Sequence, residues 1–407
     1  MWKLPLFLII IVLFLNISCS TTPAKIPTST TTLTASPTLI PTPIAVTVSP
    51  LPSYGFRIGN VPFQFLGANV NMHFFDKGIG MKWSEAADID LIKSAKNNGI
   101  TVFDLVPPYF ENSLGNYQEN ELIKLDHLLD TASQNGIYVY IPFINATGIA
   151  LNDSDPYYNP GGIEGLVKDE RLKEAYKKLV AKLVTRVNTV NHKKYNEDPT
   201  TLAWSLCTEI LSGPQNYPKG PPNITMEELA TWVEGMASYV KSLDANHLVT
   251  LNTHSGLAKY GENWESVLNV PSLDFVEVED AEARFLYITD SPVDFYLKVF
   301  ELKKPVVMMI SFTGGALDQG KIAKDYTWQA EKLREIFKVY YEMGVTTGFT
   351  IYNFASELNK NYILAGDPYA YTSSNTLICQ AFVDIASTLG PRNSTIVPLE
   401  FVKISSK

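Results

Sequence analysis

Residues 184–211 read VTRVNTVNHKKYNEDPTTLAWSLCTEIL. The stretch combines the end of a long amphipathic helix, a polar loop with an Asp-Pro turn, and a short apolar strand. The helix is expected over 172–190, with Leu172, Tyr176, Leu179, Leu183, Val187 and Val190 at spacings of three and four. The strand is expected over 202–207, and it delivers Glu209 at its C-terminal tip. Where strands and helices alternate, the C-terminal ends of the strands carry the chemistry. Glu209 is therefore a candidate acid.

The same alternation extends outward in both directions. Strands are expected at 63–70, 100–106, 137–145, 247–252, 273–278, 305–310 and 346–352, and helices at 85–97, 119–134, 226–242, 293–302, 328–343 and 374–389. The crossover over 257–270 is the weakest. Several strands are near-continuous apolar runs, as expected for a parallel sheet buried on both faces. The pattern predicts an α/β fold, a (β/α)8 TIM barrel. An open doubly wound sheet is disfavoured, because no Gly-rich phosphate loop opens any helix.

Hydrophobic residues make up 45% of the 407 and charged residues 18%, a globular balance. The net charge of −9 argues against a nucleic-acid partner. Lys3 followed by an apolar run over 5–15 reads as a signal peptide, residues 1–18, too short to span a bilayer. It ends at Asn16-Ile17-Ser18-Cys19, which resembles a bacterial lipoprotein signal with Cys19 lipidated. The Thr-, Ser- and Pro-rich segment 19–53 reads as a tether, and 54–407 as the barrel domain. A membrane partner through the lipid and an extracytoplasmic, cell-surface location follow as expectations. Cys207 and Cys379 read as packed thiols.

The segment 179–210 resembles glycoside hydrolase family five, in particular its endo-β-1,4-mannanase branch. The resemblance is carried by Arg186-Val187-Asn188, Tyr195, Asp198-Pro199-Thr200, Ala203-Trp204 and Glu209. It is extended by Leu125-Asp126, Gly136-Ile137, Trp232, Lys241-Ser242-Leu243-Asp244 and His247-Leu248-Val249. It implies a retaining glycosidase barrel acting on a β-linked polysaccharide such as mannan, with no cofactor and no metal, and with Glu209 as acid/base. Such enzymes need a second carboxylate about 5–5.5 Å away as nucleophile.

Departures from the family pattern fall together. Its Asn before the acid/base is Thr208, its Arg on strand two is Asp104, and its His-x-Tyr on strand six is Glu279-Asp280-Ala281. Its nucleophile falls at Ser311 and its Trp floor at Tyr352, and residues 304–315 hold no carboxylate. A lone hydroxyl without an adjacent base is a poor nucleophile.

Glu209, Glu279 and Asp104 are thus the candidate catalytic carboxylates, as an inverting pair about 6.5–9.5 Å apart or a trio able to hold a hard cation. Thr208, Ser311, His73, His254, Tyr109 and Tyr352 are candidate substrate contacts. Phe110, Tyr157, Tyr158, Trp264, Tyr369 and Tyr371 lie in loops that either stack on sugars or close the barrel top. Three readings stand: a hydrolase with a rearranged acid pair, a non-hydrolytic glycan binder, and a scaffold that has lost the sugar site.

Overall fold

The computed structural model describes residues 46–49, 55–59, 61–72, 83–146, 155–211, 221–281, 293–311, 326–342, 347–359 and 371–389. Thirteen strands are described: β1 (Val46–Ser49), β2 (Gly55–Ile58), β3 (Val61–Phe63), β4 (Phe65–Asn71), β5 (Val102–Val106), β6 (Glu111–Ser113), β7 (Asn116–Tyr117), β8 (Tyr138–Pro142), β9 (Thr201–Ser205), β10 (Leu248–His254), β11 (Phe275–Ala281), β12 (Val306–Ser311) and β13 (Gly348–Tyr352). The helices are α1 (Glu85–Asn97), α2 (Glu119–Asn135), α3 (Gly162–Lys168), α4 (Glu170–Val184), α5 (Met226–Leu243), α6 (Glu265–Leu268), α7 (Val293–Phe300), α8 (Tyr326–Glu342) and α9 (Thr376–Thr388).

Eight of these strands close into a parallel barrel in the order β10-β11-β12-β13-β4-β5-β8-β9. This is the (β/α)8 TIM barrel expected from the alternation. In a pleated strand, successive side chains point to opposite faces, and the two faces here build two cores. One alternate set (Leu66, Ala68, Phe103, Val139, Trp204, Val249, Val276, Met308 and Phe349) packs under the helices. The other (Phe65, Val102, Tyr138, Tyr140, Ala203, Leu248, Phe275 and Val307) fills the barrel's interior at its N-terminal end.

That interior core is stoppered by the antiparallel sheet β1-β2-β3. The Phe56 ring meets Phe65 at 5.8 Å and Phe275 edge-on at 5.1 Å, while Phe63 meets Tyr138 at 5.4 Å. Gly348 leaves the space that Phe65 occupies, since a Cβ there would lie 2.4 Å from its ring. Val46–Ser49, near the end of the segment read as a tether, thus pairs with Gly55–Ile58 as a strand. The rest of 19–53, with Cys19 and the signal segment, lies outside the described residues.

The helix expected over 172–190 is shorter, ending at Val184. Leu172, Tyr176, Leu179 and Leu183 are buried as their spacing requires, but Val187 is 50% exposed. Hydrogen bonding explains the early stop. Buried Asp126 on α2 takes a paired contact from Arg186 (Nε to Oδ1 2.9 Å, Nη2 to Oδ2 2.6 Å), and Tyr195 Oη donates to its Oδ1 at 2.6 Å. Thr189 adds its N–H and its hydroxyl, and Asn188 Nδ2 donates to the Asp126 carbonyl at 2.9 Å. Burial pushes the Asp126 carboxyl up, but these donors outweigh it and hold it below the usual range. A loop wrapped on one carboxylate satisfies more polar groups than another turn of helix would.

The crossover over 257–270 is as slight as its sequence, a 3-10 turn at Ser255–Lys259 followed by the four-residue α6. Among the described residues no helix is long and apolar enough to cross a membrane.

Candidate functional site

The C-terminal ends of the eight barrel strands form one mouth. Four of the inward positions beneath it carry acids or amides in step. Asn69 on β4 stands beside Asp104 on β5, and Asn252 on β10 beside Glu277 on β11. Asn69 Nδ2 donates to Asp104 Oδ2 at 2.9 Å. Asn252 Nδ2 donates to Glu277 Oε2 at 3.0 Å, and Thr350 Oγ1 on β13 donates to its Oε1 at 2.8 Å. Asp104 is 2% exposed and Glu277 fully buried. Burial pushes Glu277 up to about 7, although the bonds from Asn252 and Thr350 pull the other way. Asp104 is raised well above the usual carboxylate range, first by burial, then by the Glu277 charge and, more weakly, by Glu209. Burial thus raises both carboxyls, and the Glu277 charge adds to the rise at Asp104, so each favours its protonated form more than an exposed carboxyl does.

Glu209 lies one layer higher. Its backbone is left-handed, with φ 46°, and so is that of Leu211, with φ 52°. Neither is glycine, so the turn is costly by itself. It is held by its neighbours: Glu209 N–H donates to Asn252 Oδ1 at 2.9 Å, and Ile210 N–H to the Asn252 carbonyl at 3.2 Å. Before it, Thr208 N–H donates to the Ile144 carbonyl and Thr208 Oγ1 to Asn145 Oδ1 at 3.1 Å.

The other candidates divide. Glu279 is two residues beyond Glu277 on β11, hence on the same face and nearer the mouth, and is 7% exposed. His254 ends β10 opposite Glu279 and is nearly buried, its Nδ1 accepting from the Gly256 N–H at 2.9 Å. Tyr352 ends β13, half-buried, paired with Ser311 at the end of β12. Ser311's side chain, Asp280's side chain and all of His73, Phe312 and Tyr369 lie outside what is described.

Tyr109 and Tyr158 are half-buried, but Phe110, Tyr157, Trp264 and Tyr371 are buried and so are not open stacking faces. Tyr157 is fixed by its hydroxyl donating to Glu111 Oε2 at 3.1 Å. Among the described residues no three His, Cys, Asp or Glu side chains group closely enough to hold a metal ion.

The family whose profile matches residues 161–279 is described as GH family 5 beta-mannosidase-like. Mannan endo-1,4-beta-mannosidase 8 of Oryza sativa subsp. japonica is 35% identical over 112 residues, 28% of this chain and 26% of that protein. Probable mannan endo-1,4-beta-mannosidase C of Aspergillus terreus is 24% identical over 262 residues, 54% of this chain and 61% of that protein. Residues 161–279 thus resemble the mannanase-like part of glycoside hydrolase family 5. The chain spans only about a quarter of the length of the first relatives it matches, 26% and 25%.

In fold, the likeness is wider. The endo-1,4-beta-mannanase from Rhizomucor miehei superposes with a TM-score of 0.67 at 17% identity, covering 85% of this chain and 99% of that one. The endo-beta-1,4-mannanase from Thermotoga petrophila gives 0.64 at 19%, covering 80% and 77%.

Glu277 and Asn252 were not among the residues singled out from the sequence. Their signal was present. Glu277 is two residues before Glu279, and Asn252 two before His254, so a period of two places each pair on one face.

Proposed function

We propose that this glycoside-hydrolase-like barrel binds β-mannan or a related β-linked polysaccharide at its mouth and hydrolyses it slowly or not at all. The carrying observation is that the mouth keeps Glu209 on a built turn, while residues 304–315, which include the last residue of β12, contain no carboxylate. Retaining hydrolysis needs a carboxylate to attack the sugar carbon. Of the remaining acids, Asp104 and Glu277 sit in the dry interior with their oxygens bonded to Asn69, Asn252 and Thr350. Each is thus poorly placed to activate a water against a polymer. Ser311 in place of the nucleophile, Asp104 in place of the family's Arg, and the exchange at Glu279 support the same reading. An Arg left without its carboxylate would be a costly buried charge.

Binding asks less of the site. Glu209 and Glu279 accept hydrogen bonds from sugar hydroxyls, and Tyr109 and Tyr352 offer partly exposed rings. A lipidated Cys19 followed by a Thr/Ser/Pro tether would hold this mouth at a bacterial cell surface, a reading that rests on the sequence of residues 1–53.

Two measurements on the purified protein test the proposal: reducing-sugar release from galactomannan, and galactomannan affinity by calorimetry. Binding without turnover is expected. Robust turnover abolished by both Glu209→Gln and Glu279→Gln would replace this reading with a rearranged acid pair. Absence of both turnover and binding would leave the scaffold reading. Radiolabelled fatty acid should be incorporated into the wild type in a bacterial host and not into Cys19→Ala.

A further inference from the structure

Glu209 is aimed by a backbone conformation that its own side chain disfavours, so something must hold it. The holder is visible. Asn252 uses both ends of its side chain and its carbonyl. Its Oδ1 accepts from the Glu209 N–H, its carbonyl accepts from the Ile210 N–H, and its Nδ2 donates to Glu277 Oε2. A backbone N–H can only donate, which fixes the amide with Oδ1 toward Glu209 and Nδ2 toward Glu277. Glu277 is itself pinned by Thr350 Oγ1, from a strand on the other side of β12. Asn252 is 1% exposed and Glu277 fully buried. In a dry site, an amide without its Glu277 partner would leave a donor unmade and be free to turn.

We infer that Glu277 and Asn252 are positioning residues for Glu209: the Glu277 carboxyl orients the Asn252 amide, and that amide locks the left-handed turn that presents the Glu209 side chain to the mouth. Asp104, facing Glu277 across the interior, adds charge to the same layer without a hydrogen bond to Asn252 among the described residues. The consequence for glycan binding rests on the reading that the Glu209 carboxylate meets the sugar.

Three variants separate the steps. Asn252→Ala removes the acceptor from Glu209. Glu277→Leu removes the orienting carboxyl. Glu277→Gln keeps an oxygen for Asn252 Nδ2 and turns an amide toward Thr350 Oγ1, so it should rescue. Amide hydrogen exchange over residues 206–211 is expected to quicken roughly tenfold or more in Asn252→Ala and Glu277→Leu and to stay near wild type in Glu277→Gln. Galactomannan affinity should fall roughly tenfold in the first two and stay within roughly threefold in the third. In a Glu209→Gln background, Asn252→Ala should weaken affinity by less than about twofold, because the positioned group is already gone.

A merely structural role would give additive losses in that cycle, and that result overturns the inference. So does unchanged exchange in Asn252→Ala, or a Glu277→Gln as impaired as Glu277→Leu. If Glu277→Leu does not fold, exchange in Asn252→Ala decides alone. Exchange needs no glycan: a wild type that binds no galactomannan sinks the binding proposal and leaves the relay to be judged by exchange.

Discussion

The two ends of this barrel carry different kinds of residue. At the N-terminal end lie nearly all the residues that carry the likeness to family 5 mannanases. Arg186, Asn188, Tyr195 and Asp126 tie α2 to the loop before β9. Asp198 accepts from the Thr200 N–H, and Asp244 joins Trp204 Nε1 at 2.7 Å to His247 Nδ1 at 2.7 Å. These are fold-holding contacts. At the C-terminal mouth, where a barrel does its chemistry, the sequence resemblance sets Asp104, Thr208, Glu279, Ser311 and Tyr352 against different residues in the family and Glu209 against its acid/base. A family likeness drawn mostly from the stabilising end transfers the fold with force and the activity with little.

Breaking the closed end should cost most. Arg186→Ala leaves the buried Asp126 carboxylate without its two-pronged partner, and is expected to remove about 3–5 kcal/mol of stability by urea unfolding. Galactomannan affinity of the protein that remains folded should be unchanged. A matching loss of affinity would show that the two ends are not independent.

Next comes the pH dependence of stability. Glu277 titrates near 7 in the fold and in the ordinary glutamate range when unfolded. Between those values the native state binds more protons than the unfolded one, so stability falls as pH rises through that window and levels off above it. Asp104 and Asp88 are raised by burial and act in the same direction. Urea midpoints should therefore be lower at pH 8 than at pH 5. Glu277→Gln should remove on the order of 2–3 kcal/mol of that difference. An identical slope in wild type and variant would mean that Glu277 is charged in the fold at neutral pH.

The mouth itself should respond more gently. Glu209→Gln is expected to weaken galactomannan binding roughly tenfold, about 1.4 kcal/mol, with no change in unfolding midpoint. Glu279→Gln, closer to the interior layer, should weaken it only about two- to fivefold. The reverse order would move the centre of recognition from β9 to β11.

Much of this architecture was legible in the sequence, because apolar periodicity reports burial directly. Residues 63–70, 100–106 and 305–310 read as strands for that reason, and strands stand at Phe65–Asn71, Val102–Val106 and Val306–Ser311. The end of α4 was not legible. Val187 and Val190 continue the apolar spacing, and only the position of Asp126, 60 residues away from Arg186, ends the helix. Glu209 was found because it is a charge at the tip of an apolar run. Glu277 escapes the sequence reading because Glu279, two residues on and on the same face, stands where the family has its strand-six His and draws the attention. The sequence leaves the loop aromatics open between stacking on sugars and closing the barrel top, because what closes Tyr157 in is Glu111, a contact between segments 46 residues apart that no local pattern encodes.

The aromatic stopper at the N-terminal end has one more consequence. With Phe56, Phe63, Phe65, Tyr138 and Phe275 packed across the floor, the barrel is a blind well. A proton reaching Asp104 and Glu277 from the open end would then pass the layer of Glu279, which lies two residues nearer the mouth than Glu277 on β11. A polysaccharide lying across that opening would therefore act as a lid on their acid–base equilibration, slowing it while leaving its end point to the local charges.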